Sequence, residues 1–210
     1  MTSQYWEKAY EALSLSDEVM AKLIERYRLV PFKGFSSVAE SIFRSIVGQQ
    51  ITNVAAATLW DRLCGTRHGR WDSFLAITPT SELRKLGLNP RKIHALKEVA
   101  FRFVSGEWSE RSFQNMADAE VIRVLTSVKG LGPWSAMSVL IFGLKRGDVF
   151  PTDDFGIRQA LVNLYFPEET VVSVNRKANR SRVESIVGAW APYRTAATWF
   201  LWRSLENDPR

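Results

Sequence analysis

The sequence predicts an all-α protein, on three observations. Apolar residues recur at helical spacing along most of the chain, alternating polar and apolar strand patterns are scarce, and capping signals punctuate the chain where helices would begin. There is no repeat at a fixed period.

Taken in order, residues 3–14 and 16–28 mix polar and apolar positions at helical spacing. Ile42, Phe43, Ile46 and Val47, then Ile51, Val54, Ala55 and Leu59, form stripes on either side of Gly48-Gln49-Gln50, with Thr52 starting the second helix. Asn89 caps, and Pro90 opens, a helix to about Val104, and Asp118 caps one ending near Ser127. Ser135 to Leu144 is apolar on every face, which predicts a buried helix. Lys145-Arg146-Gly147-Asp148 breaks it, and a short extended Val149-Phe150-Pro151 follows. Thr152 then caps a helix whose first turn holds Asp153 and Asp154. Ser181 with Glu184 reads as a capping box, Pro192 opens a last helix to about Leu205, and Val174–Arg180 is the only plausible linker.

Composition sets bounds. At 210 residues and 46% apolar content the chain can bury a sizeable core, and no apolar run is long enough to span a membrane. Twenty-eight basic against 22 acidic residues leave a net charge of +6, consistent with a polyanionic partner. Cys64 is the only cysteine, which excludes a disulfide within the chain, a thiolate zinc site and a four-cysteine iron–sulfur cluster. His68 and His94 lack neighbours at ligand or triad spacing and receive no chemistry. With no basic-then-apolar N-terminal signal, a reducing cytoplasm is expected, nucleoid-associated if the source is a bacterium. A monomer is expected.

The most informative stretch is Val128-Lys129-Gly130-Leu131-Gly132-Pro133-Trp134 followed by Phe150-Pro151-Thr152-Asp153-Asp154. Gly130 and Gly132 allow positive φ and leave amides uncovered, and Pro133 suits a first helical turn, where its missing N–H costs nothing. Uncovered amides at a helix start attract anions, and a nucleic-acid phosphate is a natural one. An ordinary corner between two helices is the competing reading of the hairpin. Dipole complementation competes for the acids, since carboxylates are favoured in any first turn.

Together with Ser45-Ile46-Val47-Gly48-Gln49-Gln50-Ile51-Thr52 and Leu86-Gly87-Leu88-Asn89-Pro90-Arg91-Lys92, these segments resemble the helix-hairpin-helix DNA glycosylase superfamily, whose mark is a Gly-x-Gly hairpin followed by a catalytic Asp. Within it the nearest likeness is to the 3-methyladenine DNA glycosylase II type. The resemblance covers roughly residues 38 to 205 and implies two helical lobes with the active site in the cleft between them: residues 38–136 form the middle lobe, and 1–37 with 137–210 form the second.

The resemblance also implies site residues. Asp154 matches the catalytic carboxylate, with Asp153 as its support. A carboxylate there stabilises the oxocarbenium-like transition state and orients the attacking water. Glycosylases that also cut the backbone carry a lysine two positions after the second glycine; Trp134 stands there, so a monofunctional hydrolase leaving an abasic site is implied. Trp134 and Trp202 match aromatic residues of the base pocket, where an indole face favours a cationic alkylated purine, and Ser138 stands where the family's best-known members have a pocket tyrosine. Trp60, Trp71, Trp108, Trp190 and Trp199 are read as core. Gln49, Gln50 and Ile51 match the loop that enters the minor groove, with Gln50 at the wedge position and Ile51 placed to share it; alternatively the glutamines cap helix ends. Lys129, Gly130, Leu131 and Gly132 would meet backbone phosphate. The carbonyls of Thr126, Val128 and Leu131 match positions that hold a monovalent cation, Na+ or K+, while no other cofactor is required.

The implied function is excision of alkylated purines of the 3-methyladenine and 7-methylguanine type from double-stranded DNA after base flipping. Two alternatives stay open: a glycosylase for mismatched pyrimidines or oxidised purines, and a non-catalytic helix-hairpin-helix DNA-binding module.

Overall fold

The computed structural model describes residues 1–65, 71–174 and 177–206; His68 and part of the expected linker lie outside them. The described residues form thirteen helices and no strand: α1 Ser3–Ser16, α2 Glu18–Tyr27, α3 Val38–Val47, α4 Asn53–Cys64, α5 Trp71–Ile77, α6 Thr80–Lys85, α7 Pro90–Val104, α8 Glu110–Asn115, α9 Asp118–Thr126, α10 Pro133–Ser138, α11 Phe155–Tyr165, α12 Lys177–Ala189 and α13 Arg194–Arg203. The all-α expectation therefore holds. Among the described residues no helix is long and apolar enough to cross a membrane.

The chain divides into two units, Gly34–Leu144 and the two ends Met1–Lys33 with Lys145–Arg210. The sequence reading ends the middle lobe at 136. The structure carries it to Leu144, because α10 runs without a break into a wider π-type turn, Val139–Gly143, that packs on α3.

In the middle unit α3 is the axis. Ile42, Phe43, Ile46 and Val47 are buried among α7, α8 and α10. Its first turn is capped twice: Ser37 Oγ accepts the Glu40 N–H, and the Glu110 carboxylate, from α8, accepts the N–H groups of Val38 and Ala39 at 2.8 and 3.0 Å. α7 lays Ile93, Leu96, Val99 and Ala100 against α3 and α5. Thr52 and Asn89 cap α4 and α7 as expected. The α4 stripe differs from expectation: Leu59, Trp60 and Leu63 are its buried residues, and Val54 is 78% exposed.

In the terminal unit α1, α2, α11 and α13 enclose Leu13, Met20, Ile157, Leu161, Phe166, Trp190 and Phe200. Asp17 is its keystone. One carboxylate oxygen caps α2 through the N–H groups of Val19 and Met20, and the other accepts the Tyr165 hydroxyl at 2.9 Å and the Trp190 indole N–H at 2.8 Å. Burial, with the Asp17 charge second, pushes the Tyr165 phenol far above its usual range.

Several element boundaries move from expectation. Asp118 is the first residue of α9, with Ala117 at the cap. α12 starts at Lys177, so Ser181 lies inside a helix and opens no capping box. Pro192 sits in the turn before α13, behind a cis peptide bond with Ala191, and Tyr193 takes the cap position.

Candidate active site

Each of the two units carries its own set of candidate residues. In the middle unit the α3–α4 turn and the α9–α10 hairpin lie side by side. Gly130 takes a φ of +103°, which only glycine adopts freely. Gly132 does not share this role: its φ of −105° and ψ of 179° are extended, and a Cβ there would meet nothing within 4 Å. Gly132 therefore supplies open space over the start of α10, where Pro133 takes the first helical position. Val128 and Leu131 are buried and anchor the hairpin from beneath, so Leu131 offers an outside ligand its backbone alone. Lys129 is exposed.

In the α3–α4 turn, Gly48 ends α3 and Gln50 takes a φ of +58°, a left-handed conformation that costs a non-glycine residue roughly 1 kcal/mol. Gln50 is exposed and Ile51 is 39% exposed. Gln49 points inward, donating its amide N–H to the Gly130 carbonyl at 2.7 Å and to Ser135 Oγ at 3.3 Å. From beneath, the buried ammonium of Lys92 donates to the Val47 carbonyl at 2.7 Å, and burial lowers the Lys92 pKa. Lys92, the last residue of the Leu86–Lys92 segment, is thus a buried support of this turn.

A groove of about 420 Å³ opens between turn and hairpin, lined by Gly48, Gln49, Gln50, Ile51, Asn53, Gly132, Trp134 and Ser135. Trp134, 41% exposed, forms part of this wall. The tryptophans read as core behave differently: Trp60, Trp108, Trp190 and Trp199 are buried, and Trp71 packs on Trp60 at 5.1 Å between ring centroids. Ser138, at the end of α10, is not among the groove-lining residues.

The second set surrounds Asp154. Pro151–Asp154 forms a turn closed by the Asp154 N–H on the Pro151 carbonyl, so the helix cap moves from Thr152 to Asp154 itself. Its Oδ1 accepts the Ile157 N–H at 2.8 Å and the Trp202 indole N–H at 3.0 Å. Two donors on one oxygen fix the plane of the carboxylate. Trp202 is thus tied to the carboxylate by its edge, a contact that a base-stacking role does not anticipate. Asp153 is exposed in the turn.

Helix α13 holds this corner. Thr195, Thr198 and Trp202 lie on one face. Thr195 Oγ1 accepts the Val149 N–H and donates to the Arg146 carbonyl, Thr198 Oγ1 donates to the Val149 carbonyl, and Trp202 reaches Asp154. Arg194 adds a two-pronged ion pair to Asp148 with both N···O distances at 2.6 Å, and that hydrogen-bonded guanidinium holds the Asp148 carboxyl below its usual range. Tyr5 of α1 donates its hydroxyl to the Gly147 carbonyl at 2.6 Å. These contacts join residues some 46 to 49 positions apart or more, which local pattern reading does not find. Phe155, next in sequence to Asp154, is 65% exposed.

A carboxylate at a helix start with fixed orientation, and an anion-attracting hairpin beside an aromatic groove, are the parts a base-excising enzyme needs. The comparisons agree. Residues 43–184 match the model of the HhH-GPD superfamily base excision DNA repair proteins, and the chain belongs to that superfamily. It is 29% identical over 196 residues to DNA-3-methyladenine glycosylase 1 of Schizosaccharomyces pombe, covering 88% of this chain and 80% of that one. It is 29% identical over 193 residues to the DNA-3-methyladenine glycosylase of Saccharomyces cerevisiae, covering 78% of this chain and 65% of that one. The solved structure of the Schizosaccharomyces pombe 3-methyladenine DNA glycosylase in complex with abasic DNA superposes with a TM-score of 0.80 at 28% identity, covering 97% of this chain and 98% of that one.

Proposed function

We propose that the protein is a monofunctional DNA glycosylase that hydrolyses the N-glycosidic bond of alkylated purines in double-stranded DNA, leaving an abasic site. The observation that carries this is the Asp154 carboxylate, held by two N–H donors at the start of α11 in a chain whose hairpin bears Trp134 where an amine nucleophile would stand. As the bond to the base lengthens, positive charge grows on the sugar. A fixed carboxylate stabilises that charge without reorganising and orients water for attack. The exposed indole of Trp134 favours a cationic base over a neutral one. Relatives named 3-methyladenine glycosylases support this substrate class.

For DNA binding, we assign the backbone of Lys129–Gly132 to a phosphate and Gln50 with Ile51 to the gap in the base stack. The carbonyls of Thr126, Val128 and Leu131 suit a singly charged cation, being neutral oxygens at a helix end where carbonyls lack intrahelical partners. The Val128 carbonyl uses one lone pair on the Leu131 N–H at 3.0 Å and keeps a second. A bound Na+ or K+ would add positive charge facing the phosphate.

The test is to incubate the protein separately with duplexes carrying methylated, mismatched or oxidised bases and identify what is released. Free 3-methyladenine and 7-methylguanine with intact abasic strands are expected. Strand cleavage without added base, or release of mismatched pyrimidines or oxidised purines instead, would overturn the assignment.

A further inference from the structure

The α3–α4 turn carries a residue in a left-handed conformation, so something outside it must hold it. Two side chains do so. Lys92 fixes its root at the Val47 carbonyl, and Gln49 spans from the turn to the hairpin, bonding the carbonyl of Gly130 and the hydroxyl of Ser135. Gly130 is the hairpin's own left-handed residue, and Ser135 is a buried residue in the first turn of α10. The side-chain amide of the residue just before Gln50 therefore ties the turn to the hairpin's positive-φ glycine. It joins residues 81 and 86 positions apart.

We propose that Gln49 is a positioning residue: it acts within the protein, registering the Gln50–Ile51 wedge on the phosphate-gripping hairpin so that gripping the backbone also places the wedge. This rests on the assignment of Gln50 and the hairpin as DNA contacts. Its amide fits because Nε2 can donate to two acceptors at once, a carbonyl and a hydroxyl, while no negative charge enters the groove. A carboxylate of the same size would set an oxygen against the Gly130 carbonyl.

The experiment compares single-turnover excision of one 7-methylguanine paired with cytosine against the same base placed opposite an abasic gap, where little wedge work is needed. For Gln49→Leu and Gln49→Glu, excision from the paired duplex should fall about ten-fold, the value of one or two hydrogen bonds, with a much smaller loss opposite the gap and thermal midpoints close to wild type. Gln50→Ala should show the same pattern, and Gln49→Leu added to Gln50→Ala should cost little more, because the element it registers is already gone. Equal losses on both substrates, or fully additive losses in the double variant, overturn the proposal. If Gln50→Ala changes the paired-to-gap ratio and Gln49→Leu does not, the proposal alone fails. If Gln50→Ala leaves the ratio unchanged, the wedge assignment fails and takes the proposal with it.

Discussion

At the scale of single residues, Trp134 and Trp202 look alike in sequence and differ in structure. Trp134 presents its ring to a groove, while Trp202 spends its indole N–H on Asp154. Their variants should separate accordingly. Trp134→Leu should lose the cation–π attraction and slow excision of cationic 3-methyladenine by up to ~30-fold, with neutral hypoxanthine or ethenoadenine suffering less. Trp202→Phe keeps an aromatic ring but removes the donor, so it should slow excision of both lesion classes by about ten-fold while DNA affinity stays unchanged. A lesion-dependent loss at Trp202 would return it to the base pocket. Gly156 offers a sharper probe of the same carboxylate. A Cβ there would lie 3.1 Å from Asp154 Oδ1 and 3.4 Å from Trp202 Cδ1. Gly156→Ala should stabilise the helix by roughly 0.5–1 kcal/mol if the neighbours yield, yet lower the excision rate by displacing the carboxylate. A variant that melts higher and cuts as fast as wild type would show that the close approach is unimportant.

At the scale of elements, α13 works as a bracket for the segment from Arg146 to Asp154. Its pH behaviour follows from Asp148, whose carboxyl is held low by the Arg194 hydrogen bonds. A depressed folded pKa contributes stability above the unfolded value of about 3.9, and that stability disappears as pH falls through the folded pKa. Melting temperature followed from pH 7 to pH 3 should therefore drop less steeply in Asp148→Asn, which has no carboxylate there to protonate. Identical acid limbs in both proteins would remove this pair from the account. Asp17 is the corresponding anchor for α2. Asp17→Ala strips a helix cap and leaves the Tyr165 hydroxyl and the Trp190 indole without their acceptor, so chemical denaturation should show a loss of about 3 kcal/mol.

The same elements show how far the sequence could be read. Thr52 and Asn89 declared their helices because a cap is a local event, settled within three residues. Asp154 stands out in the sequence as the candidate acid, while its turn differs from expectation: the bend at Pro151–Asp154 delays the helix and makes Asp154 its cap. Ser181 and Pro192 misled for a related reason, since packing of α12 and the turn before α13 overrode locally plausible start signals. Trp202 on Asp154, Gln49 on Gly130 and Arg194 on Asp148 had no local signature at all. Such contacts exist only once distant helices pack, so the candidate residues were legible while their partners were not.

At the scale of the whole molecule, the central claim is that a base-excision protein with this hairpin and this acid hydrolyses the bond to an alkylated purine through Asp154. The most direct measurement is single-turnover base release by Asp154→Asn on methylated duplex DNA, with duplex affinity measured alongside. Asparagine keeps an oxygen for the Ile157 and Trp202 N–H groups, so the corner should stay folded while the charge that stabilises the transition state is gone. The account predicts loss of base release by at least about a hundred-fold, with affinity for DNA unchanged or raised because a negative charge facing a polyanion has been removed. Release within a few fold of the wild-type rate would contradict it and place the catalytic group elsewhere.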